Sequence, residues 1–476
     1  MERTPPIPAE LWEQIPPHVQ AVLWEVFERY EARIAKLEAE VAGLQAQRNQ
    51  TSQNSSKPPS SDGPHVKRKP PRPSSGRNRG GQPGHSAHHR TLVPVEKVDE
   101  VIVCTPTHCR RCGQVLEGSD PQPHRHQVVE LPPPIPHVRE YQQQRLVCAH
   151  CGITTCGELP QGVPRTGYGP RFTSIVALCS GAYRMSKRMT AHFSREVWGI
   201  PLSHGEVCAL EQVVRRAVQE PVDDVRESVQ WSDTNVDETR WREQNHRVQL
   251  WTMVTPQASV FAIRRSRGAK VLHEVLGKDY TGLIGSDRAK AYDCYPQRQR
   301  QICWSHLRRD AQAMIDRGGP GRKVGEQLLE HANVLFAWRR WLREGKWRRS
   351  TWQQQMSGLR RSFRQELHWG TQVPCEKTAA TCRELLAKER ALWTFVRIPA
   401  IAETNNAAER SLRHPVQWRK TSYGTQSERG SRFVESMLTV LSTCQQHQQN
   451  AFAYLTACCQ AFFKNAIPPP LIPQPG

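Results

Sequence analysis

Two extended runs that each close on an acid, with a hairpin and a short helix between them, constrain this chain more than any other feature. The first acid is Asp237 in Asn235-Val-Asp-Glu-Thr-Arg-Trp241, and the second is Asp287 in Gly282-Leu-Ile-Gly-Ser-Asp287. Between them, residues 246–255 and 259–265 are rich in β-branched and aromatic side chains and read as strands, while 269–276 has helical spacing. Strand ends deliver side chains to a sheet edge, where ligands gather in α/β folds. Carboxylates delivered there are hard oxygen ligands of the kind Mg²⁺ takes.

Composition sets the partner class. At 476 residues the chain is too long for one core, and two to four domains are expected. Its formal charge of +21 points to a polyanion, nucleic acid first; the alternative is a basic surface with no such partner. The start, Met1-Glu-Arg-Thr-Pro-Pro, has no apolar signal core, and no run approaches the ~18 apolar residues of a membrane helix. These features predict a soluble protein of the reducing cytoplasm with no membrane partner. There, clustered cysteines mean metal before disulfide.

Taken in order, residues 1–50 hold an N-terminal helix. Leu23, Tyr30, Leu37 and Leu44 recur every seven residues, with Phe27, Ile34, Val41 and Arg48 four after each. That seam predicts a coiled coil and self-association, or else an amphipathic helix packed on its own chain. Residues 51–95 turn to Ser, Pro, Gly and basic side chains, with eight Lys/Arg against one acid in 51–90. This composition predicts a disordered basic linker that tracks phosphates or merely tethers. A small zinc-binding domain is expected over 96–165. Its knuckles, Cys109-x-x-Cys112 and Cys148-x-x-Cys151, can offer four thiolates to one structural Zn²⁺. Cys104 and Cys156 are left over, and His124 and His126 compete as ligands. Residues 166–228 read as helices, either a support for the core or a DNA-binding region. A catalytic domain follows over 229–450, with a tryptophan-rich helical insertion at 310–398 whose Trp residues either fill a core or stack on bases. Residues 451–476 form a C-terminal element, and the Pro-rich tail after Ile467 reads as disordered.

A third acid is expected downstream, where four glutamates compete. Glu403 precedes any helix cap, so its direction reads as poorly fixed. Glu428 begins a helix in solvent, and Glu435 is expected on the face turned away from the core. Glu409 falls one turn inside a helix capped by Thr404 or Asn405, beside small Ala407 and Ala408 that permit close approach to the sheet. Glu409 is therefore the candidate, the alternative being a salt bridge to Arg413.

The order acid–hairpin–helix–strand–acid is similar to that of a ribonuclease H-like fold. Together with Asp237-Glu-Thr, Ser286-Asp287 and Tyr292, Cys303-Trp-Ser-His306 with Arg309, and Asn405-Asn-Ala-Ala-Glu409-Arg with Leu412-Arg413, it resembles the insertion sequence 66 family of DDE transposases. Asn54-Ser-Ser-Lys-Pro-Pro-Ser-Ser-Asp62, Gly80-Gly-Gln-Pro-Gly-His85 and Tyr454-Leu455 extend the likeness over most of residues 20–460. Arg240 and Arg288, close behind the two aspartates, depart from the family pattern.

The resemblance implies an α/β fold with a ribonuclease H-like catalytic core and a helical insertion. It implies Asp237, Asp287 and Glu409 as a triad on two Mg²⁺ ions, and His306, Arg309, Arg410 and Arg413 as supporting or DNA-contacting residues. The expected activity is cleavage and joining of element ends, with DNA ends and target as partners, self-association through the N-terminal helix, and accessory proteins of the same element. The rivals are a nuclease or resolvase that cuts without joining, and an inactive zinc-containing DNA-binding protein.

Overall fold

The computed structural model describes residues 8–51, 55–57, 62 and 91–473. Good helix formers fill the N-terminal stretch, which makes one turn at Ala9–Trp12 (α1) and then an unbroken helix, Pro17–Arg48 (α2). Tyr30, Ile34, Leu37, Val41 and Leu44 of the expected seam are exposed on it. The basic linker expected after it falls mostly outside the described residues.

The chain divides into two units, residues 69–142 with 192–202, and the remainder. In the smaller unit, Cys109 opens a tight turn: its N–H reaches the Gln114 carbonyl at 2.8 Å, and its carbonyl accepts from Gly113 N–H at 2.9 Å. The larger unit repeats this turn, from Cys148 N–H to the Ile153 carbonyl at 2.9 Å and from Gly152 N–H to the Cys148 carbonyl at 2.8 Å. Gly113 and Gly152 have φ of 73° and 72°, a left-handed conformation that glycine takes without strain. The second turn joins the antiparallel strands Arg145–Val147 (β1) and Thr154–Cys156 (β2).

Four helices follow: Pro170–Gly181 (α3), Lys187–Trp198 (α4), His204–Ala217 (α5) and Gln219–Val229 (α6). Ser203 and Glu206 form a reciprocal capping box that starts α5. The β-branched and aromatic runs then build one sheet from Thr234–Glu243 (β3), His246–Val254 (β4) and Ser259–Arg264 (β5). Helix Ala269–Leu276 (α7) crosses back to Ile284–Ser286 (β6), and Arg300–Ile302 (β7) completes the sheet. The strand order is β5-β4-β3-β6-β7, with antiparallel pairing among the first three and parallel pairing from β3 to β6 and β7. Gly285 gives β6 room against its neighbour, since a Cβ there would meet Asn235 Oδ1 at 2.5 Å.

Between β7 and the last segment stand Trp304–Arg317 (α8), Gly321–Arg343 (α9), Arg349–Gly370 (α10), Glu376–Ala387 (α11), Glu389–Leu392 (α12) and Thr394–Arg397 (α13). They enclose a second apolar core around Trp304, Trp352, Phe363, Trp393 and Phe395. Trp304, Trp352 and Trp393 are therefore core residues, and the guanidiniums of Arg339 and Arg349 stand 5.5 and 5.8 Å from the Trp352 ring centre.

Asn406–Ser411 (α14), Arg413–Ser422 (α15), Glu428–Gln446 (α16) and Ala451–Lys464 (α17) close the chain. Helix α16 corrects one expectation. Glu435 faces inward, with its side chain 1% exposed, because it serves the free edge of β5. It accepts the Ile263 N–H at 2.5 Å, while Thr439 and Thr443 Oγ1 accept the Phe261 and Ser259 N–H groups at 3.2 Å each. Acceptors four residues apart on a helix rise ~6 Å, close to the ~6.6 Å between alternate strand residues. Arg264, Arg226 and Arg432 surround and neutralise the buried carboxylate. Glu403 is a second correction: it is buried and held by Arg339 at 3.1 Å, and its carbonyl accepts the Trp304 N–H. The C-terminal segment is a third, since Leu471 is buried in the core and the Tyr454 hydroxyl donates to the Pro469 carbonyl at 3.0 Å.

Candidate functional site

Asp237 lies in the middle of β3, opposite Thr252 of β4, and Asp287 stands immediately after β6. Asp287 is anchored by the Ala289 N–H, which donates to its Oδ1 at 2.8 Å. Glu409 comes from the first turn of α14. That helix is fastened to the sheet by Asn405, whose Nδ2 donates to the Val236 carbonyl at 2.7 Å, and by Ser411 Oγ against Thr252 Oγ1 at 2.9 Å. Asn405 occupies the cap position as expected, but its side chain holds α14 to β3 and makes no capping bond.

These acids act on one another electrostatically. The Asp237 carboxyl is pushed up to about 8, by burial above all and then by Glu238, with Asp287 and Glu409 adding to it. The Glu238 N–H, which donates to Asp237 Oδ1 at 2.9 Å, works in the opposite direction. Glu409 is also raised, by burial against the pull of Arg309 and Arg413. Half-buried carboxylates that act on Asp237 suit a divalent cation with a preference for oxygen, which Asp237, Asp287 and Glu409 could hold.

Glu238 is a fourth acid to which the sequence assigns no role. The strand pleat turns it to the other face of the sheet from Asp237, where its side chain is 2% exposed. Arg267 Nε donates to it at 2.5 Å and the Tyr292 hydroxyl at 2.9 Å. Adjacency to Asp237 was its only signal, because Arg267 and Tyr292 arrive from elsewhere in the chain.

His306 and Arg309, on the first two turns of α8, approach Glu409 Oε1 at 3.4 and 3.6 Å. Burial foremost, and then Arg309, push the His306 imidazole down to about 4. It is neutral at pH 7, so its contact with Glu409 is not an ion pair. Among the described residues, Cys303, His306 and Glu409 form the group whose ligand atoms all lie within 4.8 Å of one another. Arg288, one of the departures from the family pattern, is drawn off by Asp310 at 2.7 Å and by Glu384. On the same side of the sheet as Asn235, a cleft of about 630 Å³ is lined by Thr255, Arg410, Arg413, Gln445 and Gln446, and both arginines are exposed.

The two cysteine turns each surround their first sulfur with donors. Backbone N–H groups of Cys112 and Arg111 lower the Cys109 thiol, and those of Cys151 and His150 lower Cys148. Cys112 and Cys151 hydrogen-bond to the first sulfur of their own turn.

A family model described as Transposase IS66 family matches residues 165–433, which include β3 to β7, α8 to α15 and all three candidate acids. A second model, Family of unknown function (DUF6444), matches residues 8–91. No curated protein matches the chain. No helix among the described residues is long and apolar enough to cross a membrane.

Proposed function

The chain belongs to the IS66 family of transposases, and from that premise we propose that it cleaves and joins DNA ends by two-metal phosphoryl transfer at Asp237, Asp287 and Glu409. The observation that carries this reading is the field at Asp237, where acids from β3, the end of β6 and α14 act on one buried carboxyl. The strand order and the placing of an acid on the central strand, beside its parallel neighbour and on a following helix support a ribonuclease H-like core.

The three carboxylates would hold Mg²⁺, which when bound supplies Lewis-acid activation and neutralises charge developing on the phosphoryl oxygens. The chain's own residues do the rest. Asn405 and Ser411 fix α14, and so fix Glu409 against the sheet. The half-buried setting of Asp237 strengthens the electrostatic interactions made there. Arg410 and Arg413, exposed at the cleft, offer phosphate contacts that position a strand without reading its sequence.

Under the same reading, the Cys109–Cys112 turn and the Cys148–Cys151 turn each offer thiolates to structural Zn²⁺, and the exposed seam of α2 pairs with a second copy as a coiled coil. DNA ends and a target are the partners, with proteins of the same element as accessories.

The test is Mg²⁺-dependent cleavage of DNA carrying the element's ends, followed by strand transfer from a pre-cut end. Glu409→Gln keeps the size and removes the charge; it is expected to reduce cleavage at least ~100-fold while folding and DNA binding persist. Glu403→Gln, at a salt bridge remote in role, is expected to retain cleavage. Near-normal cleavage by Glu409→Gln overturns the assignment, and cleavage without strand transfer favours the nuclease reading.

A further inference from the structure

Beside the carboxylate cluster lies a set of donors that oxygen-loving chemistry does not use. Cys303 follows β7 at the cap position of α8 and is 1% exposed, and His306 sits one turn on. Glu409 reaches them from α14, and the three ligand atoms stand within 4.8 Å of one another. His306 Nδ1 and Glu409 Oε1 are buried atoms that make no hydrogen bond. Two such orphans facing one another are costly unless something satisfies both.

We propose that Cys303, His306 and Glu409 form a cation site of softer character than the magnesium set, taking Zn²⁺ through a thiolate, an imidazole nitrogen and a carboxylate oxygen. Ligand atoms around tetrahedral zinc stand roughly 3.3–3.8 Å apart, given bonds of ~2.0–2.3 Å. The 3.4 Å between His306 Nδ1 and Glu409 Oε1 already falls in that range. Backbone N–H groups surround the sulfur: Asn405 N–H donates to Cys303 Sγ at 3.2 Å, and those of His306 and Ser305 also point to it. N–H donors of this kind stabilise a ligating thiolate.

Binding zinc as a thiolate releases the Cys303 proton to solvent. Zinc held by one thiolate and one carboxylate is a neutral unit. Arg309, 3.6 Å from Glu409, therefore does not oppose it, and Arg288 is already engaged by Asp310 and Glu384. Three protein ligands leave the fourth position open. The site shares Glu409 with the magnesium set but does not require that reading, because it is defined by metal binding alone.

The experiment uses the full chain, stripped by chelation, reloaded with Zn²⁺ or with Co²⁺ as a spectroscopic probe, and counted by elemental analysis. A background with Cys109, Cys112, Cys148 and Cys151 all changed to Ser removes the knuckle sulfurs. It is expected to retain about one metal per chain and a near-ultraviolet sulfur-to-cobalt band. Adding Cys303→Ser should abolish the band, and adding His306→Gln should weaken binding at least ~10-fold, with circular dichroism verifying the fold of each. Absence of a thiolate band in the four-serine background overturns the site, whatever the folding of the further variants. A band that survives Cys303→Ser, or metal content indifferent to His306→Gln, overturns it equally.

Discussion

At the scale of single residues, the site is a place where stability is given up for charge. Burial and neighbouring acids resist the ionisation of Asp237. Its folded-state pKa of about 8 lies above the ~3.9 of an unfolded aspartate. The neutral form therefore favours folding, and that contribution is complete below pH ~4 and lost as pH rises through about 8. Asp237→Asn removes the liability. In chelator at pH 8 it is expected to be more stable than the parent by up to ~4 kcal/mol, with the gap closing toward pH 4 and shrinking when Mg²⁺ is added. Denaturant melts at several pH values check this, and a variant less stable than the parent at pH 8 would count against a strained carboxylate. Asp287 directly after a strand and Glu409 near a helix start follow local patterns, whereas Asp237 lies inside β3 and not at the strand end that the sequence suggests. Glu435 and Glu403 were misread because burial of a carboxylate depends on Arg264 and Arg339, more than sixty residues away in each case.

Among elements, the hairpin, α7 and the strand leading to Asp287 were legible because each has its own periodicity. The pairing of α16 with the open edge of β5 was not, since no sequence period reports which polar atoms of a helix meet which amides. That pairing protects an edge strand by supplying its missing acceptors. Thr439→Val keeps the shape and leaves the Phe261 N–H without a partner in a buried place, so a loss of about 1–3 kcal/mol is expected. Thr439→Ser, which retains the acceptor, should cost less, and amide exchange at Phe261 should quicken only in the valine variant. Equal losses in both would assign Thr439 a packing role instead. Helix α2 presents the opposite case, an apolar row that its own chain leaves exposed. Pairing two such rows recovers ~1.5–3 kcal/mol for each large side chain buried. Removing residues 1–49 should therefore lower the mass seen by light scattering and leave the remaining fold intact; an unchanged mass would rule out α2 as the assembly element.

For the whole molecule, the question is which part of a +21 charge is available to a polyanion. Many arginines are spent internally: Arg226, Arg264 and Arg432 on Glu435, Arg288 on Asp310, Arg339 on Glu403. These pairs hold helices to the sheet and to the insertion, and they release no counterion when DNA binds. Arg410 and Arg413 differ, because they are exposed at the cleft beside the acids, where a phosphate would displace condensed ions. The two classes separate in salt dependence. A phosphate contact contributes about one unit to the slope of log K against log salt and weakens binding alike for every sequence. Arg410→Gln and Arg413→Gln, in the full chain, are each expected to lower that slope by about one, read by fluorescence anisotropy across a salt series. Arg226→Gln, which breaks contacts with Asp223 and Glu435, should cost stability and leave the slope unchanged. If the slope is indifferent to Arg410 and Arg413, the cleft is not on the path of the strand, and the excess charge acts elsewhere on the molecule.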